Sequence, residues 1–222
     1  MLALLHLCDS LFPVGSFAYS DGLESATSMD AISTAEDLRE WIDVVLDETI
    51  GRAEGLTVWR AWRAFADRDW DALAALDEEA IALKPAASAR RSSRAMGLRL
   101  LTTWHSLHPD PRLEHVLASV KSASLPVAFA GACACSGVEQ HESVEAFAYT
   151  RLAATVSAAM RLMPIGQTEA HALLARTLAR VPSVVDAIAE RDRAHEESGS
   201  FTPAMDIAAM SQQYLHSRLF RS

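Results

Sequence analysis

The feature of this sequence that most constrains its fold is a helical spacing of apolar residues, which recurs along almost the whole chain. Between positions 38 and 50 this spacing puts six apolar side chains on one side of a helix: Leu38, Trp41, Ile42, Val45, Leu46 and Ile50. No stretch shows a convincing strand-like alternation. Alanine, the strongest helix former, supplies 40 of the 222 residues. The sequence therefore predicts an all-α fold.

The predicted helices follow one another with few strong breaks. Ser33 and Glu36 have the spacing of a capping box before the helix at 38–50, and Gly51 follows that helix. Pro109 and Pro111 mark the plainest break, because proline lacks the backbone N–H that a helix interior needs. Further helices are predicted around 58–65, 70–83, 96–104, 113–122, 126–137, 142–163, 168–180, 182–197 and from 204 onward. We expect residues 1–222 to form a single helical-bundle domain of roughly ten helices.

The charge of the chain argues against nucleic-acid binding and is distributed unevenly. The net charge is −9, whereas non-specific nucleic-acid binding needs cations that displace counterions from phosphate. Residues 1–50 carry ten acidic residues and the single base Arg39, whereas residues 84–121 carry seven basic and two acidic residues. Such opposed blocks are typical either of solvated faces or of docking surfaces for charged protein partners.

The cysteine content and the apolar segments predict a cytoplasmic protein that does not enter membranes. Three cysteines are too few for a disulfide framework and fit a reducing compartment. The apolar start of the chain lacks the basic region of a signal peptide, and Asp9 interrupts it. The longest apolar window, Leu125–Cys135, is much shorter than the ~20 residues of a membrane span.

None of the reactive side chains forms a recognisable catalytic motif. Cys133 and Cys135 are two positions apart on a predicted helix, where their side chains point about 200° away from each other, so buried thiols are expected rather than a metal pair. The segment 141–145 lacks the second histidine of the zinc-protease motif H-E-x-x-H. The nucleophile-elbow, P-loop and dinucleotide-binding motifs are also absent from the sequence.

A group of three histidines leaves a metal-dependent helical enzyme as an alternative function. A loop at the proline break could gather three imidazoles around a metal ion; these are His105, His108 and His115.

Four segments of the chain resemble the UreF family of urease accessory proteins. Residues 4–24, LLHLCDSLFPVGSFAYSDGLE, are similar to the family's N-terminal signature L-x-x-L-x-D-S-x-x-P-x-G-x-[FY]-x-x-S-x-G-[LM]-E. The other three follow in the family's order: 94–101 (RAMGLRLL), 161–167 (RLMPIGQ), and 203–210 (PAMDIAAM) with the tail 217–222 (SRLFRS). Together these matches span nearly the whole chain.

The resemblance implies an all-helical, non-catalytic, cytoplasmic homodimer. Such a protein joins the GTPase UreG and the scaffold UreD, also called UreH, to apo-urease, and the nickel that it helps to load is cargo rather than a cofactor. The signature segment 1–24 and the C-terminal helix and tail, 203–222, become candidates for partner binding: the acidic N-terminal block and the loop 13–24 for UreG, and the C-terminal segment for UreD. The tail could bury Leu219 and Phe220 in a partner's groove while its arginines pair with carboxylates at the rim.

The matched positions give a set of candidate partner-binding residues. These are Asp9, Ser10, Pro13, Gly15, Phe17, Tyr19, Ser20, Gly22, Glu24, Arg94, Gly97, Arg161, Gly166, Gln167, Arg218, Leu219, Phe220, Arg221 and Ser222.

Two further functional alternatives depend on single side chains. His171 stands where many relatives have glutamine, and because an imidazole titrates near neutral pH it is a candidate for transient metal contact. A GTPase-activating protein would instead supply an arginine that stabilises phosphoryl-transfer charge; the candidates are Arg90, Arg91 and Arg94.

Overall fold

The computed structural model describes residues 1–119 and 123–221 and confirms the all-α fold, since no strand occurs in these ranges. The first half contains α1 (Leu2–Leu7), α2 (Leu23–Ser28), α3 (Ala35–Val44), a π-helical segment (Val45–Glu54), α4 (Gly55–Asp67), α5 (Trp70–Ala82) and α6 (Ala87–Leu107). The second half contains α7 (Pro111–Ser119), α8 (Leu125–Cys135), α9 (Gln140–Leu162), α10 (Gln167–Leu178), α11 (Val181–Arg193) and α12 (Pro203–Ser211). Short 3₁₀ turns lie at Ser16–Ala18 and Gln212–Tyr214.

The centre of the domain is helix α8, which packs against α4, α6 and α9. Its residues from Leu125 to Cys133 are all buried, as expected for a helix that is apolar on every side. Small residues let its neighbours approach closely: a Cβ added at Gly131 would lie 2.4 Å from the ring of Phe65. Cys133 is a buried thiol as expected, whereas Cys135 is only half-buried.

The predicted helix end at Gly51 is wrong. Helix α3, the π-helical segment and α4 continue into one another from Ala35 to Asp67. Gly51 is buried, and a Cβ there would lie 3.3 Å from Val184 on α11. The glycine therefore permits close helix packing rather than a C-terminal cap. The six apolar residues predicted to line one face are nevertheless all buried.

The start of α3 and two later boundaries also differ from the prediction. The capping box is formed by Thr34 and Asp37, one residue later than expected, and Ser33 donates a second backbone N–H to the same carboxylate. Pro111 begins α7 rather than only breaking the chain, because proline is well suited to the first helical position. Helix α11 ends at Arg193, although the pattern predicted a helix as far as 197. The last part of the helix predicted at 113–122 falls outside the described residues.

Helix α6 and the residues that lead into α8 meet through a backbone contact that requires glycine at position 97. A Cβ added at Gly97 would lie 2.1 Å from the carbonyl oxygen of Ala123 and 2.8 Å from the carbonyl carbon of Ser124. These are backbone atoms, so the clash could be relieved only by a backbone shift of α6 or of the residues that lead into α8.

We predict that Gly97→Ala destabilises the domain. Overpacking of a close helix contact costs about 1–3 kcal/mol, which urea-induced unfolding followed by circular dichroism would measure. Gly199→Ala is the matched control, because a Cβ at Gly199 has nothing within 4 Å. Equal unfolding midpoints for the two variants would contradict the prediction.

Candidate functional site

The two ends of the chain meet at the buried carboxylate of Glu24, at the start of α2. This carboxylate accepts hydrogen bonds from the backbone N–H groups of Leu219 and Phe220, the latter at 3.2 Å, and from the side-chain amide of Gln212. The carbonyl oxygen of the same amide accepts a hydrogen bond of 3.2 Å from the N–H of Ser25. The N-terminal signature and the C-terminal tail therefore form one surface, which we call the chain-end junction (residues 12–24 and 212–221).

The loop between α1 and α2 reaches this junction through left-handed backbone at its end. Asp21 and Gly22 have φ values of 50° and 91°. A Cβ at Gly22 would lie 2.8 Å from the backbone nitrogen of Ala209 on α12. Only glycine combines this φ with so close an approach, so Gly22 allows α12 to pack directly on α2.

Arginines from two long helices hold the loop. Arg99 on α6 donates to the carbonyl oxygen of Val14, and Arg161 on α9 donates to that of Phe17, both at 2.9 Å. The guanidinium carbon of Arg161 also lies 4.3 Å from the centroid of the Phe220 ring, which is a cation–π contact. The tail adds its own bond where the N–H of Arg221 donates to Ala18 at 2.8 Å. Here α6, α9, the loop and the tail come together.

A buried ion network supports the loop from inside. Arg151 on α9 lies 2.7 Å from a carboxylate oxygen of Asp21 and 3.1 Å from one of Glu54, and Lys84 pairs with the other oxygen of Glu54. Burial disfavours the charged form of Glu54, but the cations of Arg151 and Lys84 outweigh it and lower the pKa to about 2. The network joins the π-helical segment, α9 and the loop.

The candidate partner-binding residues divide into two groups by their exposure. Ten are exposed and accessible to a partner: Asp9, Ser10, Pro13, Phe17, Arg161, Gly166, Gln167, Arg218, Leu219 and Arg221. The others are buried or half-buried within the chain: Gly15, Tyr19, Ser20, Gly22, Glu24, Arg94, Gly97 and Phe220. Ser222 lies outside the described residues. A partner contact remains a prediction for every position, but the second group already has contacts inside this chain.

Arg94 and Phe220 show what these internal contacts do. Arg94 lies 2.8 Å from the buried carboxylate of Asp77, which also accepts the N–H of Ser124 at the start of α8. Phe220 is only 3% exposed, whereas Leu219 is 59% exposed. The expectation that both apolar tail residues are available to a partner's groove is corrected for Phe220, because its ring packs inside this chain beside Arg161.

The histidines expected at the proline break are held apart by different partners. The imidazole of His115 stacks on Trp70 at 4.6 Å and that of His108 lies 4.4 Å from the ring of Trp104. His105 accepts the N–H of Asp110. In the part of the chain that the structure describes, no three His, Cys, Asp or Glu side chains are grouped to hold a metal ion. His171 is exposed on α10 and belongs to no such group.

Of the three arginines considered for GTPase activation, two are already engaged within the chain. Arg90 donates to the carbonyl oxygens of Lys84 and Pro85, and Arg94 pairs with Asp77. Arg91 is the exposed member of this group.

Arg99, Arg151 and Gln212 also hold the chain-end junction, although no sequence motif predicted a role for them. A buried ion pair of Arg151 could have been predicted from the sequence. This arginine lies four positions after Phe147, on the face of α9 that is otherwise apolar, where a charge needs a buried partner. The role of Gln212 could not be predicted from local sequence, because its partner Glu24 is 188 positions away.

We predict that Glu54→Gln lowers the free energy of unfolding by about 3 kcal/mol at pH 7, because it removes the buried carboxylate with which two half-buried cations pair. Since the pKa of Glu54 is lower in the folded than in the unfolded chain, the unfolded chain binds the proton first as the pH falls. The stabilisation by Glu54 is therefore lost between about pH 5 and pH 2. Urea unfolding across this range should show a smaller acid dependence for Glu54→Gln than for the exposed control Glu78→Gln. Parallel pH profiles would contradict this assignment.

We predict that Glu24→Ala releases the tail while the helices stay folded. Loss of charge-assisted hydrogen bonds to two tail amides should speed hydrogen exchange at residues 219–220 about tenfold or more. Glu24→Gln keeps one acceptor oxygen and should give an intermediate rate. Unchanged exchange at these two amides in Glu24→Ala would show that Glu24 does not hold the tail.

Within residues 1–119 and 123–221, no helix is both long and apolar enough to cross a membrane.

Comparison with known proteins places the chain in a family. The sequence model of the UreF family matches residues 32–178. A urease accessory protein UreF from Azoarcus sp. (strain BH72) is 32% identical over 225 residues, covering 100% of this chain and 95% of the relative. The UreF proteins of Methylorubrum populi and Bacillus sp. (strain TB-90) are 32% and 30% identical, covering 100% of this chain and 98% and 99% of their own lengths. The alignments with these three relatives cover the whole chain and so include both halves of the chain-end junction. The chain belongs to the UreF family of urease accessory proteins.

Proposed function

We propose that this chain acts in urease maturation as a non-catalytic docking protein in the cytoplasm. As a homodimer, it joins the GTPase UreG and the scaffold UreD, or UreH, to apo-urease while nickel is loaded as cargo. The observation that carries the proposal is the chain-end junction, where the buried Glu24 joins the family signature to the family's C-terminal segment.

The junction presents apolar side chains on a backbone that is already held in place. Phe17, Tyr214 and Leu219 are 72%, 81% and 59% exposed. The backbone oxygen of Phe17 is bonded to Arg161, and the backbone nitrogen of Leu219 is bonded to Glu24. Because large side chains on ordered backbone lose little conformational entropy on association, such residues are well suited to be central contacts of an interface.

Much of the acidic N-terminal block is neutralised within the chain. Arg180 from the start of α11 pairs with Asp43 and Asp47, and Arg39 pairs with Glu36 and Asp43. These ion pairs favour a solvated surface for α3 and the π-helical segment. They support the loop of the chain-end junction, rather than α3, as the centre of UreG binding.

The proposal predicts that the purified chain retains UreG and UreD from the same organism in a pull-down. Binding to neither protein would reject it. Removal of residues 214–222 should abolish the UreD contact selectively, but this deletion also takes two donors from the buried Glu24. A surface substitution in the tail therefore gives the cleaner test.

We predict that Leu219→Ser weakens UreD binding about tenfold, because it removes an exposed apolar contact whose loss is worth about 1–2 kcal/mol. Leu107→Ser is the matched control, since Leu107 is 51% exposed at the end of α6. Calorimetric titration with UreD measures both affinities. Wild-type affinity in Leu219→Ser would remove the tail from the UreD interface.

A further inference from the structure

Three arginines from separate parts of the fold line one open pocket of about 250 Å³. Arg99 belongs to α6, Arg161 to α9 and Arg221 to the tail. The remaining wall is formed by Leu219 and by four residues of the loop: Gly15, Phe17, Ala18 and Tyr19. All three arginine side chains are exposed. The pocket therefore opens to solvent and admits a ligand without any rearrangement of the core.

The positive charge of this pocket is not matched by the residues that the structure describes. Across the ranges 1–119 and 123–221, no carboxylate lies within ion-pair distance of Arg99, Arg161 or Arg221. The side chains of the first two donate to neutral carbonyl oxygens, which leave the formal charge uncompensated. By contrast, the charge of Arg151 is matched, because this arginine lies between the carboxylates of Asp21 and Glu54.

We propose that this arginine pocket binds an oxyanion of the phosphate class. Guanidinium groups present several N–H donors in a plane and bind oxyanions through paired hydrogen bonds. Donors that approach from α6, α9 and the tail need an acceptor with oxygens on more than two sides, which a tetrahedral phosphate has and a carboxylate lacks. A doubly charged phosphate also offsets most of the charge of three guanidinium groups.

The ligand would fix the junction as well as occupy the pocket. It connects α6, α9 and the tail, and the N–H of Arg221 is already bonded to Ala18 of the loop. A ligand that binds the ordered tail better than the released tail shifts the population toward the ordered form. Oxyanion binding and tail protection are therefore coupled.

Calorimetric titration of the full chain with sodium phosphate, at constant ionic strength, tests the site. The unaltered chain should bind, and Arg99→Gln and Arg221→Gln should each weaken binding about tenfold. Arg176→Gln, at an exposed position on α10, is the control and should bind as the unaltered chain does. No binding, or equal binding by all four proteins, would overturn the proposal.

Two further measurements separate the possible outcomes. Titration with acetate and with ADP identifies the ligand: tighter ADP binding indicates a nucleotide phosphate, equal binding indicates the phosphate group alone, and acetate binding as tight as that of phosphate rejects the phosphate class. Phosphate should also slow hydrogen exchange at residues 219–221 in the unaltered chain but not in Arg221→Gln. The side chain of Arg221 makes no hydrogen bond within the described chain, so this variant tests the site even if Arg99→Gln disturbs the loop.

Discussion

A buried carboxylate sets the geometry of the surface on which the function of this chain depends. Glu24 is 7% exposed, and a carboxylate so far removed from water is tolerated only when hydrogen bonds replace its hydration. Those hydrogen bonds come from Gln212 and from two backbone amides of the tail, nearly 200 positions later in the chain. The fold therefore cannot bury Glu24 favourably without also ordering its own C-terminal end.

The loop that carries the family signature is held between this carboxylate and a second one. Glu54 is buried with Arg151, and the same arginine reaches Asp21 immediately before the left-handed turn at Gly22. On the outside, Arg99 and Arg161 hold the loop through its carbonyl oxygens. Charged groups thus do two different tasks here: the buried ones are matched and give rigidity, whereas the exposed arginines keep their charge available to a ligand.

Much of the fold was predictable from periodicity, because burial depends on local spacing. The apolar stripe from Leu38 to Ile50 identifies a helix and its buried face, and the apolar window Leu125–Cys135 coincides with α8, which is apolar on every side. Glycine is harder to interpret, since Gly51 looks like a helix end in the sequence but serves close packing against Val184. Thr34 replaced Ser33 as the cap because both residues can accept the same hydrogen bond, and only the register of the helix decides between them.

The candidate site was predictable as a set of segments but not as a geometry. The signature and the tail were both identified, yet no local pattern could show that Glu24 binds the amides of 219 and 220, or that Phe220 is buried while Leu219 faces solvent. Two adjacent apolar residues look alike in a sequence. Arg161 covers the ring of Phe220, whereas the side chain of Leu219 faces solvent. Phe220, which is buried, and Leu219, which is exposed, are therefore neighbours. Because the backbone amides of both residues donate to Glu24, a partner that contacts Leu219 binds a tail whose position depends on those hydrogen bonds.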